Sequence, residues 1–348
     1  MWMVKNDTPY QAERTWVRNK NGVHQWIVVV KATYDIAEDG SLSLSDNPVE
    51  PLYAPEYIGE DGLSSIRYEA DLVAMKPGTD VFLNGKAYAP DGESATMVPV
   101  ILEIQDIRKE LHVYGDRIWE RGGIGPEPGV PSWFEAMPIV YEKAFGGYDQ
   151  ANPDPSEHRM DSRNPIGVGF AVKKSSLYGT PVPNIEYPSG ALAKVGPAGF
   201  GAIPSFCTPR KEYAGTYDEN WKKTKMPFLP DDFDDRWLLS SPPDQRPSGY
   251  LRGGEVVRLT NLTPSGYLRF VIPEVFLFFT THILGRKYRH QGQLVTIVIE
   301  PDCPRVILTW QTSLDVRKNI DYLDATVVSE KSMQRFDDVE DSLCRECE

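Results

Sequence analysis

Four carboxylates fall within five residues in Pro230-Asp231-Asp232-Phe233-Asp234-Asp235. Carboxylates this close could coordinate Ca²⁺ or supply the acid and base of a glycosidase. The D-x-D-x-D-G register and distal glutamate of a calcium loop are missing, however. Asp beside proline is also ordinary turn and helix-cap chemistry. A sugar-cleaving reading would rest first on Asp231, Asp234 and Glu142; a structural reading makes them turn and cap residues.

Nucleophilic catalysis needs a serine or cysteine on a strained turn, a base and a group that orients the base. No G-x-S-x-G elbow occurs, and Cys207 and Cys303 stand in proline-rich sequence without a nearby histidine. The five histidines, His24, His112, His158, His282 and His290, form no H-x-H, H-E-x-x-H or H-x₃₋₅-H pair, so no metal site is expected. His24 and His112 fall on predicted strands, as hydrogen-bonded structural imidazoles. Cys344-x-x-Cys347 has metal or redox spacing but no second ligand pair, which leaves two free thiols in a polar tail. The glycine clusters at Gly122-Gly123, Gly146-Gly147 and Gly253-Gly254 lack the preceding strand and following helix of a phosphate cradle. They read as turns or close backbone approaches.

The elements that must position these residues are strands. Of 348 residues, 41% are hydrophobic and 25% charged, which excludes wholesale disorder. The formal charge of −13 disfavours a nucleic-acid partner. The longest apolar stretch, Phe270 to Leu284, is broken by Pro273, Glu274 and His282, so no membrane span is expected. The opening MWMVKNDTPYQAER lacks the apolar core of a secretory signal, and a cytoplasmic location is the expectation. His24–Tyr34 is a β-branched and aromatic run apolar enough to be buried. Further strands are predicted at Ser41–Leu44, Ile66–Val73, Thr79–Tyr88, Ala95–Ile104 and Lys109–Gly115. After the middle of the chain they resume at Glu255–Asn261, Tyr267–Ile272, Val275–His282, Leu294–Glu300 and Val306–Gln311.

Between Arg121 and Tyr250 lie 18 of the 29 prolines and 15 of the 28 glycines. Aromatic residues are spread through the same stretch, unlike a disordered linker. It is expected to be ordered, irregular backbone packed on a sheet, with helical turns near Trp133–Phe145 and at Asp218–Lys223, the second capped by Asp218.

The stretch also carries a series of short phrases. They run Met137-Pro-Ile-Val-Tyr141-Glu-Lys-Ala-Phe145-Gly146-Gly147, Asn164-Pro165-Ile-Gly167-Val-Gly169-Phe, Pro183-Asn184-Ile-Glu and Pro197-Ala-Gly199-Phe200-Gly. Then come Tyr213-Ala-Gly-Thr-Tyr-Asp218, Leu229-Pro-Asp231-Asp-Phe-Asp234, Pro242-Pro-Asp244-Gln245, Leu251-Arg-Gly-Gly-Glu255 and Leu259-Thr-Asn-Leu262. In this order, from about Trp16 to Val328, the chain resembles a bacterial family of unknown function encoded beside type VI secretion spike proteins (VgrG) and effectors with PAAR-like tips. The resemblance implies a cytoplasmic adaptor or chaperone that binds an effector or its PAAR-like tip and helps load it on the spike. It implies no catalytic residue and no cofactor.

These observations give a mostly β protein: two sandwich-like antiparallel assemblies joined by a long, ordered Gly/Pro-rich segment with few short helices. The expected divisions are 1–120 and 251–328 as β domains that share sheets, 121–250 as the irregular segment, and 329–348 as a polar acidic tail. Trp119, Trp133, Tyr141, Phe145, Trp221 and Trp237 are the candidate partner contacts, because aromatic side chains dominate binding hot spots. Gly146, Gly147, Asn164, Pro165, Gly167, Gly169, Asn184, Gly199, Phe200, Asp231, Asp234, Asp244 and Gln245 are the candidate loop-shaping positions. The alternative from another class is a carbohydrate-active enzyme or glycan-binding β-sandwich.

Overall fold

A run such as Trp26-Ile27-Val28-Val29-Val30 has no polar face to turn toward water, so its strand must be covered on both sides. The computed structural model, which describes residues 2–317 and 320–330, places it so. Two long strands, His24–Ile36 and Arg305–Arg317, pair antiparallel as the spine of a six-stranded sheet. Its order is Gln11–Arg18, His24–Ile36, Arg305–Arg317, Gln293–Glu300 and Asp80–Leu83, with Leu42–Leu44 also paired to His24–Ile36. Alternation along each strand sends Val28, Val30, Ile297 and Leu308 into the main core. Ile27, Val29, Phe82, Val298 and Ile307 go to the opposite face, where they meet Ile66, Tyr68, Leu72 and Ala202.

That opposite face is covered mainly by irregular chain, with the short strand Ile66–Tyr68 among it, rather than by a second large sheet. Loops bring backbone groups that a buried surface must satisfy. The sheet answers with polar side chains among its apolar ones. Lys31 donates to Asp71 at 2.7 Å and to the carbonyl of Glu50. Thr33 accepts the amide of Val49, and Gln311 donates to the carbonyl of Val73 while accepting the amide of Lys76. Arg210, on the far loop, is ion-paired with Glu69 with both side chains buried, and donates to the carbonyls of Ile203 and Trp237.

Two further sheets have more than two strands; the remaining sheets among the described residues are two-stranded pairs. A five-stranded sheet runs Ile185–Glu186, Ile107–Tyr114, Met97–Ile104, Val256–Thr260, Tyr267–Val271; a four-stranded one runs Met3–Asn6, Leu323–Glu330, Leu277–Ile283, Arg286–Gln291. One continuous apolar cluster joins all three, from Val28 and Leu308 through Val100 and Leu259 to Phe279 and Val328. The six- and five-stranded sheets each draw strands from both 1–120 and 251–328. Pairing in the three sheets is antiparallel except at two edges, where Asp80–Leu83 and Met3–Asn6 lie parallel to their neighbours.

Several expected elements differ in extent. Ile66–Val73 is a strand only over Ile66–Tyr68, because Asp71 and Leu72 turn away to cover the sheet face. Thr79–Tyr88 divides at Asn84-Gly85 into Asp80–Leu83 and Lys86–Tyr88. The helical turn expected near Trp133–Phe145 is a single 3-10 turn, Tyr141–Lys143. Glu219–Thr224 is an α-helix whose N-cap, Asp218, accepts the amide of Trp221, as its sequence indicates. The strands Gln11–Arg18, Arg286–Gln291 and Leu323–Glu330 carry no apolar alternation strong enough to announce them. Among the described residues no helix is long and apolar enough to cross a membrane. Cys344, Cys347 and the tail beyond residue 330 lie outside the described residues.

Candidate functional site

The phrases converge. Phe145–Gly146 pairs in parallel with Val168–Gly169, joining the first phrase to the second. Asn164, buried, donates from Nδ2 to the carbonyls of Tyr141 (2.8 Å) and Phe145 (3.1 Å), while its own carbonyl accepts the amide of Gly147 at 2.8 Å. The glycines are there because nothing larger fits: a Cβ on Gly146 would overlap the carbonyl oxygen of Asn164, and one on Gly147 that of Gly167. Both also hold positive φ, at 146° and 106°. Gly169 lies against the ring of Pro183, and Asn184 ties the next phrase to the Tyr114 carbonyl and to Asp116.

Tyr141 stands at the centre of this knot. Its amide donates to Ser65 Oγ, its hydroxyl to the Gly201 carbonyl, and its ring packs against Gly199. Burial pushes its phenol well above the ordinary range. Glu142 beside it accepts from the amide and hydroxyl of Ser65. Phe200 is fully buried, and its carbonyl accepts from Leu83 N and from Gln245 Nε2. Gln245 also reaches the Val81 carbonyl at 2.7 Å, fixing the Pro242-Pro243-Asp244-Gln245 phrase to the six-stranded sheet.

Around the knot opens a cleft of about 290 Å³. Its wall includes Tyr141, Asn164, Pro165, Ile166, Pro197, Ile203, Pro204, Phe206, Pro242 and Pro243, together with Arg163 and Tyr187. The Arg163 guanidinium is held by Asp161 and lies over the Phe145 ring. Tyr187 donates to Asp244, which also accepts from the buried Lys109 at 2.9 Å. Burial draws the Lys109 ammonium down to about 8, against the opposing pull of Asp244.

Among the described residues no aspartate, glutamate or histidine lines this cleft. Cys207 does, but it is buried, and desolvation pushes its thiol up to about 11, so it stays protonated and inert at neutral pH. The carboxylates of the sugar-cleaving alternative are engaged elsewhere. Asp234 caps Asp235–Leu238 and pairs with Arg236, Asp231 pairs with Lys225, and Asp232 accepts from the amide and hydroxyl of Thr216. A second cavity holds Glu300 and Asp302, but Glu300 is bound by Tyr68, Arg67 and Arg305, and Asp302 accepts from Tyr88. Among the described residues no group of three or more His, Cys, Asp or Glu side chains could hold a metal ion.

Of the six candidate contact residues, only Trp133 is largely exposed, at 72%. Phe145 is corrected to a core residue; Tyr141 is buried as well, its ring filling the space that Gly199 leaves open, but it also lines the cleft. Trp119, Trp221 and Trp237 are half-buried. Trp221 donates to the Phe228 carbonyl and packs edge-on to Tyr217, and Trp237 sits under the Arg210 guanidinium. Phe206, 45% exposed at the cleft, was not among the candidates. Its signal is its setting: an aromatic in Pro204-Ser-Phe-Cys-Thr-Pro209, on a loop whose prolines stiffen it.

A family model described as an uncharacterized protein conserved in bacteria (DUF2169) matches residues 21–311, a span that contains every element of the knot and cleft. No curated protein and no solved structure matches the chain.

Proposed function

The chain belongs to this family conserved in bacteria, and from that premise we propose that it is a non-enzymatic adaptor of a type VI secretion system. It binds an effector, or the effector's PAAR-like tip, in the cytoplasm and assists its loading on the spike protein. The observation that carries this reading is the cleft. Phrases scattered over more than a hundred residues of sequence meet to build a largely apolar recess without, among the described residues, one acidic or imidazole side chain in its wall. Such a surface suits recognition: it offers desolvated apolar area and a fixed shape, which keeps the ordering cost of binding low. Hydrolysis of a glycoside would need two facing carboxylates there.

Co-purification with a PAAR-like effector encoded beside this chain tests the proposal. Phe206→Glu should abolish capture while leaving the thermal transition in place, since the ring is nearly half exposed. Unaltered capture by the variant would remove the cleft from the binding surface. Turnover of an oligosaccharide by the purified chain would overturn the adaptor reading itself.

A further inference from the structure

The strand Arg286–Gln291 (RKYRHQ) closes one side of the four-stranded sheet and, among the described residues, is paired along one side only, to Leu277–Ile283. A two-residue turn, Leu284-Gly285, with φ of 51° and 74°, joins them and sets the register Ile283↔Arg286 through Phe278↔Gln291. In an antiparallel pair, residues alternate between exchanging hydrogen bonds with the partner and turning those groups away. Gly292 donates to Leu277, so the even-numbered residues face inward. The N–H and C=O groups of Lys287, Arg289 and Gln291 therefore point out from the sheet's free edge.

The side chains along this edge are cationic. Arg286, Lys287 and Arg289 are exposed, and none forms an ion pair with a carboxylate among the described residues, although the chain as a whole carries −13. Alternation puts Lys287 and Arg289 on the outer face of the sheet. Charge on an edge also guards against pairing with the wrong strand. Here that guard is selective: three cations repel a second copy of the same strand and attract an acidic one.

The geometry points to this edge as a docking site for an extended acidic segment of a partner protein, added to the sheet as a fifth strand. Main-chain hydrogen bonds to Lys287, Arg289 and Gln291 supply affinity, and the cations select carboxylates on the incoming strand. This rests on the adaptor reading and adds a second contact to it, separate from the apolar cleft.

The probe is a fluorescent ten-residue peptide alternating glutamate with valine and threonine, titrated into the full chain. Binding should weaken roughly tenfold on Lys287→Glu with Arg289→Glu, and should fall as salt rises. Gln291→Pro removes an outward N–H but no charge and should also weaken it, with the thermal transition of each variant retained. A version of the peptide N-methylated along one edge, or one with lysine in place of glutamate, should not bind. No binding by the acidic peptide, or equal binding by its N-methylated form, overturns the proposal. If effector capture persists while peptide binding fails, only the edge is refuted; loss of capture by the unmodified chain would refute the adaptor reading instead.

Discussion

Lys76 Nζ donates to Asp80 Oδ2 at 2.9 Å with both side chains buried, and the same carboxylate accepts the amides of Ser240 and Ser241. A sheet strand, the loop before it and a loop far along the chain thus meet at one anion. Burial alone would raise the Asp80 carboxyl. The Lys76 ammonium and the hydrogen bonds from Lys76, Ser241 and Ser240 outweigh it and hold the group below its ordinary value.

Asp80→Ala should therefore cost about 3–5 kcal/mol, because it strands a buried ammonium and two amides together. The urea midpoint gives the loss, and limited proteolysis should cut first between residues 200 and 250. A change below about 1 kcal/mol, the range of ordinary surface substitutions, would show that other contacts hold this segment.

Gly147→Ala and Gly92→Ala separate backbone strain from backbone overlap. Both glycines have positive φ, but a Cβ at Gly92 meets open space whereas one at Gly147 meets the Gly167 carbonyl. Gly92→Ala should lose about 1 kcal/mol, the usual left-handed penalty. Gly147→Ala should lose more than that, about 1–3 kcal/mol or above, and raise hydrogen exchange from 141 to 169. Equal losses would mean that the knot yields to the methyl group.

His290 bridges Thr281 and Thr312 through its two ring nitrogens, and Thr281 continues through Thr326 to the Trp26 indole. Burial lowers its imidazole to about 4. As pH falls from about 6.5 toward 4, the unfolded chain takes up a proton that the folded one refuses, so folding loses up to about 3 kcal/mol in that window. Urea titrations of the parent and of His290→Asn should show the parent's advantage shrinking over this range. A constant difference between them would assign the acid sensitivity to other groups.

Strands buried on both faces were legible, because apolar runs such as Trp26–Val30, and Leu294–Ile299 interrupted only by Thr296, admit few other fates. The Asp218 cap was equally local, a side chain and an amide three residues apart. Composition likewise marked 121–250 as poor in regular elements, and only short strands and helical turns occur there. Exposed strands escaped notice where no apolar face marks them: Arg286–Gln291 is exposed on nearly every position, and periodicity records burial rather than pairing. Nor could local pattern tell Tyr141 and Phe145, which fill the interior, from Trp133, which meets solvent. Side-chain type sets how much area a residue can bury; the neighbours that arrive from Ser65, Asn164 and Gly199 decide whether it does. The cleft belongs wholly to that second kind of knowledge, since its walls are distant in sequence and are brought together by hydrogen bonds between loops, such as Asn164 to the Tyr141 and Phe145 carbonyls, and to the six-stranded sheet, such as Gln245 to the Val81 carbonyl.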